Sequence, residues 1–247
     1  MGIRKRLGDL IAPDDRNQRG PTKRQALDSL SGLGVPVGSV IDVGVQSGTQ
    51  ALIDAFPDRP HLLIEPLAEW NSAIQKTYTA AGVSYQLLNE AASTAPGTAT
   101  LLLKSVLPGP NFSHAFMVDG DPSGPQYRRV GATTLDVAIN GRDLPGPHLI
   151  KVDVDGAEMQ VLEGGEETLA NASLVMLEAS VVNMIERGSA MDQLGFQLCE
   201  LVDLCYYDRR FVQLDMIFVS KKIIKDHQLE FYRDGFDLGR WSEYKVG

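Results

Sequence analysis

Cysteine, positive charge and long apolar runs are all scarce in this sequence, and each shortage removes a class of protein. Only Cys199 and Cys205 occur, six apart in a strand-like run and without C-x-x-C spacing. A disulfide framework or a thiol-based metal or redox site is therefore not expected, and both thiols read as packing residues. Lys and Arg number 23 against 32 Asp and Glu, a formal net charge of -9. Such a field repels the phosphates of nucleic acid and anionic lipid, so no nucleic-acid partner is expected unless a local basic patch overrides the average. No window approaches the length of a membrane span, and the charged start Met1-Gly-Ile-Arg-Lys-Arg is followed by no apolar signal core. A cytoplasmic protein with no membrane span is the expectation, and the sequons at Asn111 and Asn171 then carry no weight. Internal repeats and low-complexity blocks are absent too.

What is present is enough apolar sequence for a large core: 43% of 247 residues. That length suits one α/β domain better than two. We read an arm over 1–25 leading to a first helix near 23–33, a domain over 26–222 and a tail over 223–247. Short apolar runs at 40–43, 62–64, 83–88, 149–154 and 174–177 alternate with helical stretches. Runs of this kind, bounded by turn signals, are what strands buried on both faces of a parallel sheet look like. The runs 196–206 and 211–220 are joined by only four polar residues, too few for a crossover helix, so they must be antiparallel. The fold class expected is α/β, a doubly wound and mostly parallel sheet ending in an antiparallel hairpin. Residues 104–130, rich in Pro, Gly, Ser and aromatics, show no clear period and read as a binding loop or lid.

Two motifs carry chemistry. In Val40-Ile-Asp-Val-Gly-Val-Gln-Ser-Gly-Thr49 an apolar strand runs into Gly44 and Gly48 and then into a helix over 49–55. Glycine serves where a ligand approaches the backbone, and the helix start offers free N–H groups. The glycine spacing departs from the dinucleotide fingerprint G-x-G-x-x-G, which favours a nucleotide without phosphates. Asp42 suits the ammonium of a methionine moiety. Glu65, followed by Pro66, ends the next strand about where a ribose diol would lie. Asn89, Glu90 and Ala91 end the third, within reach of an adenine ring.

The second motif, His148-Leu-Ile-Lys-Val-Asp-Val-Asp-Gly-Ala-Glu-Met-Gln-Val-Leu-Glu-Gly-Gly165, puts Lys151, Asp153 and Asp155 on one face of an apolar strand. Three charges on alternate positions of a buried strand are costly unless paired or used. A helix over 157–169 follows. Glu158, in its first turn, is read either as a helix-start residue or as a functional one, and the two readings stay open.

These residues resemble the FkbM family of S-adenosylmethionine-dependent methyltransferases, whose hallmark reads I-K-x-D-x-E-G-A-E-x-x-V-L-x-G. Here it stands as Ile150-Lys151-Val-Asp153-Val-Asp155-Gly156-Ala157-Glu158-Met-Gln-Val161-Leu162-Glu-Gly164, with Asp155 in place of the usual Glu. The resemblance extends to Asp42-Val-Gly44, Glu65-Pro66, the segment 89–97 and Thr134-Leu135-Asp136, roughly residues 38–220 in all. It implies a class I methyltransferase (Rossmann-like) fold with seven strands. It also implies S-adenosyl-L-methionine bound along Asp42, Gly44, Gln46, Ser47, Gly48, Thr49 and Glu65, with Asp153 facing the donor's methionine end or the acceptor. The acceptor it favours is a hydroxyl of a sugar, glycan or secondary metabolite such as a polyketide.

For the catalytic step the candidates are Asp153, tuned by Lys151, as orienting group or base; His114, whose plainer reading is a surface-loop histidine; and Glu178, at the end of the fifth strand. Glu178, Asp153 and Asp155 could also contribute to an oxygen-rich Mg²⁺ site, but the reading does without a metal. His61 and His148 start buried strands and read as structural. The terminal aromatics Phe231, Tyr232, Phe236, Trp241 and Tyr244 could cap a pocket, pack on a second subunit or anchor a tail. Two rival readings are an NAD-dependent oxidoreductase and a non-catalytic binding module.

Overall fold

The computed structural model describes residues 20–105, 112 and 114–231. The arm over 1–19, Asn111 and the aromatics Tyr232, Phe236, Trp241 and Tyr244 lie outside the described residues. In chain order come α1 (Lys23–Gly32), β1 (Ser39–Val43), α2 (Gln50–Ala55), β2 (His61–Ile64), α3 (Asn71–Ala81) and β3 (Tyr85–Leu88). Next are β4 (Glu90–Ala92), β5 (Gly97–Lys104), β6 (His114–Val118), β7 (Tyr127–Thr133), α4 (Leu135–Ile139) and β8 (His148–Val152). The chain continues through α5 (Glu158–Glu163), α6 (Glu166–Ala170), β9 (Ala172–Ser180), α7 (Met184–Gln193), β10 (Phe196–Tyr207), β11 (Arg210–Ser220) and α8 (Lys221–Asp226).

Seven strands form one sheet in the order β10-β11-β9-β8-β1-β2-β3. The five from β9 to β3 are parallel; β11 runs antiparallel to β9 and to β10, so it alone opposes the direction of the other six. This is the expected doubly wound sheet with an antiparallel hairpin at one end. Side chains alternate across it. Val40, Leu149 and Met176 pack with Ala26, Leu27 and Leu30 of α1, whereas Ile41, Val43, Ile150 and Val152 pack with Leu135, Val161 and Leu162 on the other face. Every residue of β1 and β8 is buried, which is why their sequences are apolar apart from Ser39, Asp42, His148 and Lys151. The hairpin link is shorter than the sequence suggests: Tyr207 pairs with Arg210 around Asp208 and Arg209, both at positive φ (49° and 62°). That geometry is the type I′ turn favoured between twisted strands.

Three expectations are corrected. Where a loop or lid was expected over 104–130, the described residues of that stretch contribute β6 and the start of β7 to a second sheet of order β4-β7-β5-β6. The helix expected over 157–169 is two helices, α5 and α6, broken at Gly164 and Gly165. A Cβ on Gly164 would collide with the Ser93 carbonyl and one on Gly165 with Leu135, so the chain turns there to let β4 and α4 approach. Cys199 is half-buried in β10 as expected of a packing residue, but Cys205 is exposed.

Candidate functional site

Three strand ends, those of β1, β2 and β8, meet at one edge of the main sheet. Gly44 follows β1 at φ +82°, and a Cβ there would collide with the carbonyl of Asp153. The glycine is therefore demanded by the close approach of the chain after β8, where Asp153 N–H bonds to the Val43 carbonyl at 3.1 Å. Gly48 answers to packing as well: a side chain there would press on Thr77 and Tyr78 of α3.

Beyond these strand ends opens a cavity of ≈ 620 Å³, counted out to its mouth. Its base is formed by Gly44, Gln46, Glu65, Pro66 and Asp153, and its apolar wall includes Leu67, Trp70, Ala91 and Ala92. The second sheet closes it with Leu101, His114, Ala115 and Met117, joined by Phe112 and by Asp155 from the hallmark turn.

Glu65 is 4% exposed and accepts from two backbone amides, Gln46 N–H at 2.8 Å and Leu67 N–H at 3.0 Å. It ties the turn after β1 to the turn after β2, forcing Gln46 to φ +50°. Burial pushes its pKa up against these two amides.

Lys151 is buried and pairs with Asp153 at 3.1 Å and with Asp42 at 3.4 Å. Asp42 is its register partner across β1 and β8, fully buried and absent from the cavity lining. The ammonium expected at Asp42 is thus supplied from within the chain, although neither Asp42 oxygen makes a hydrogen bond among the described residues. Burial disfavours the Lys151 charge, but the two carboxylates more than offset it and the pKa rises. Burial likewise works to raise Asp153, yet Lys151 holds its carboxyl below the usual range. Glu178 moves the other way: burial first, then Asp153, Glu158 and Asp215, push it up to about 8. It shares a hydrogen bond with Asp153 and accepts one from Gln213. Asp215 in turn pairs with Lys23 of α1 at 2.6 Å.

The remaining expected residues separate into those at the cavity and those away from it. His114 lies on β6, stacked on Phe116, with Nε2 4.0 Å from Asp155, and it faces the cavity from a strand rather than a loop. Asp155 accepts the Ala115 N–H at 2.8 Å and so joins the two sheets. Asn89 donates to the Glu65 carbonyl and pairs with Asn71, supporting the site from behind, while the Glu90 side chain lies against Gly131 in the second sheet. Ser47, Gly48 and Thr49 do not line the cavity. Among the described residues no group of three or more His, Cys, Asp or Glu is arranged to hold a metal. His61 and His148 are buried beside Phe56, Tyr78 and Ser39, as structural residues would be.

Sequence reasoning missed Arg187, 6% exposed, which pairs with the fully buried Glu158 and donates to the Glu178 carbonyl. It also missed Lys23, Leu67, Trp70 and Met117, and no local signal separates these from ordinary core or surface positions.

The sheet order and a cavity at the carboxyl ends of its central strands define a class I methyltransferase fold. The Methyltransferase FkbM domain matches residues 42–203, well over half of the chain. The chain therefore belongs to the FkbM methyltransferase family. No curated protein matches it. Among solved structures it is similar to methyltransferase FkbM from Methylobacillus flagellatus KT at 15% identity and TM-score 0.48, over 73% of this chain and 43% of that longer one. It is also similar to precorrin-6y C5,15-methyltransferase from Geobacter metallireducens at 13% identity and TM-score 0.43, over 84% and 96% of the two chains. A third is magnesium protoporphyrin IX methyltransferase from Synechocystis with bound S-adenosylmethionine, at 11% identity and TM-score 0.43, over 80% and 79%. No described helix is long and apolar enough to cross a membrane.

Proposed function

We propose that this methyltransferase takes its methyl group from S-adenosylmethionine and transfers it to a hydroxyl of a sugar, glycan or secondary metabolite. The observation that carries the donor is the cavity's charge: Glu65, Asp153 and Asp155 line it, and among the described lining residues there is no Lys or Arg. Three carboxylates disfavour a dinucleotide pyrophosphate there and suit a ligand that carries positive charge.

When bound, the donor supplies an electrophilic methyl on a positive sulfur. Glu65 offers its carboxylate to a ribose diol while keeping both turns in place, and Leu67, Trp70, Ala91 and Met117 give an aromatic base an apolar bed. Lys151 keeps Asp153 ionised. A carboxylate of so low a pKa is a weak base, but it accepts a hydrogen bond from a hydroxyl and so orients an oxygen lone pair toward the methyl. As the new C–O bond forms, the hydroxyl proton becomes strongly acidic, and Asp153 takes it late in the transfer.

Calorimetric titration with S-adenosylmethionine, S-adenosylhomocysteine and NAD tests the donor. Binding of both sulfur nucleotides, weakened in Glu65→Gln and absent for NAD, is the expected result. Binding of NAD alone would contradict the assignment of the donor.

A further inference from the structure

The turn that carries Asp153 and Asp155 is held by polar contacts in addition to the packing of Val154 and Ala157. Asp155 and Gly156 adopt positive φ (53° and 104°), and a side chain at Gly156 would meet nothing within 4 Å. What grips the turn is Glu158, whose Oε1 accepts the Gly156 N–H at 3.0 Å while its Oε2 pairs with Arg187. The second guanidinium nitrogen of Arg187 donates to the Glu178 carbonyl, anchoring the whole to β9. On its far side the turn reaches the second sheet through Asp155 and the Ala115 N–H. A continuous strut thus runs from β9 and α7 through Arg187, Glu158, Gly156 and Asp155 to β6, the strand that closes the cavity.

We propose that Glu158 and Arg187 are positioning residues for the donor site, fixing the turn at 153–157 and, through Asp155, how closely β6 covers the cavity. This rests on the reading of the cavity as the donor site. A buried ion pair adds little net stability compared with apolar residues of similar volume, whereas breaking it from one side is costly. Replacing both partners therefore separates positioning from stability.

The double variant Glu158→Leu/Arg187→Leu is compared with the parent chain by denaturant unfolding, by titration with S-adenosylhomocysteine and by hydrogen exchange at the Ala115 amide in the ligand-free protein. Near-parental stability is expected, with affinity lower on the order of tenfold and with faster exchange at Ala115. Parental affinity and parental Ala115 protection in a folded double variant would overturn the proposal. Should that variant fail to fold, Arg187→Lys decides, because it keeps a cation beside Glu158 and gives up the bond to the Glu178 carbonyl: it too should lose affinity and Ala115 protection, and a folded variant that loses neither sinks the strut. A parent chain that binds no S-adenosylhomocysteine would refute the donor site, while the Ala115 exchange still reports on the strut.

Discussion

The Lys151 ammonium lies 3.1 Å from the Asp153 carboxylate, and the same nitrogen is 3.4 Å from Asp42, fully buried one strand away. One cation thus serves a carboxylate inside the sheet and another at the cavity. Lys151→Met should leave Asp42 as an uncompensated buried charge and destabilise the fold by about 3–5 kcal/mol. Urea unfolding measures this, and adding Asp42→Asn should return part of the loss. A Lys151→Met protein as stable as the parent would mean the pair is not formed.

Glu178 makes a prediction about pH. Its folded pKa, pushed up to about 8, lies above the ordinary value of 4.5, so between these limits the folded chain holds a proton that the unfolded chain releases. The contribution is full below pH 4.5 and is lost as pH rises through 8. Glu65, Asp155 and Asp215 shift in the same direction and Asp153 in the opposite one, so the difference between parent and variant is the informative quantity. Glu178→Gln should have a melting temperature that falls less than the parent's between those pH values. Parallel curves would show that Glu178 is ionised in the folded state.

Asp153→Asn keeps the shape of the side chain but gives up the charge that Lys151 holds. Binding of S-adenosylhomocysteine should change little, while release of S-adenosylhomocysteine from S-adenosylmethionine over a panel of sugar and polyketide acceptors should fall by about 10²-fold or more. Undiminished turnover in the variant would remove Asp153 from the chemistry.

The parts of this molecule that could be read from sequence are those where one physical demand dominates. β1, β2, β8 and most of β9 are buried on both faces, so their residues are mostly apolar, which is what makes Asp42 and Lys151 stand out. The hairpin declared itself through a link too short for anything else. The second sheet hid because β6 is half-buried along its whole length and β5 begins exposed, giving neither a continuous run nor a clean alternation. At the site, the charges of Asp42, Glu65, Lys151 and Asp153 stood out as expensive in apolar surroundings, but not how they would be shared. Glu65 spends an oxygen on each of two backbone amides, and Asp42 meets Lys151. Arg187 was invisible because its partner Glu158 lies 29 residues away and only the fold joins them.

The hairpin turn offers a test of local physics alone. Asp208 and Arg209 occupy left-handed conformations that glycine and asparagine adopt more readily. Arg209→Gly, at an exposed position, should stabilise the chain by about 1 kcal/mol. A neutral or destabilising result by thermal unfolding would mean that the Arg209 side chain contributes contacts outweighing the strain.

The central claim is that the cavity between Glu65 and Asp153 holds the methyl donor. A crystal structure of the chain with S-adenosylhomocysteine tests it most directly. The account predicts the nucleoside in that cavity, its ribose hydroxyls on the Glu65 carboxylate and its sulfur on the Asp153 side. Ligand bound elsewhere, such as the open groove between Arg24 and Lys76, with this cavity empty, would contradict it.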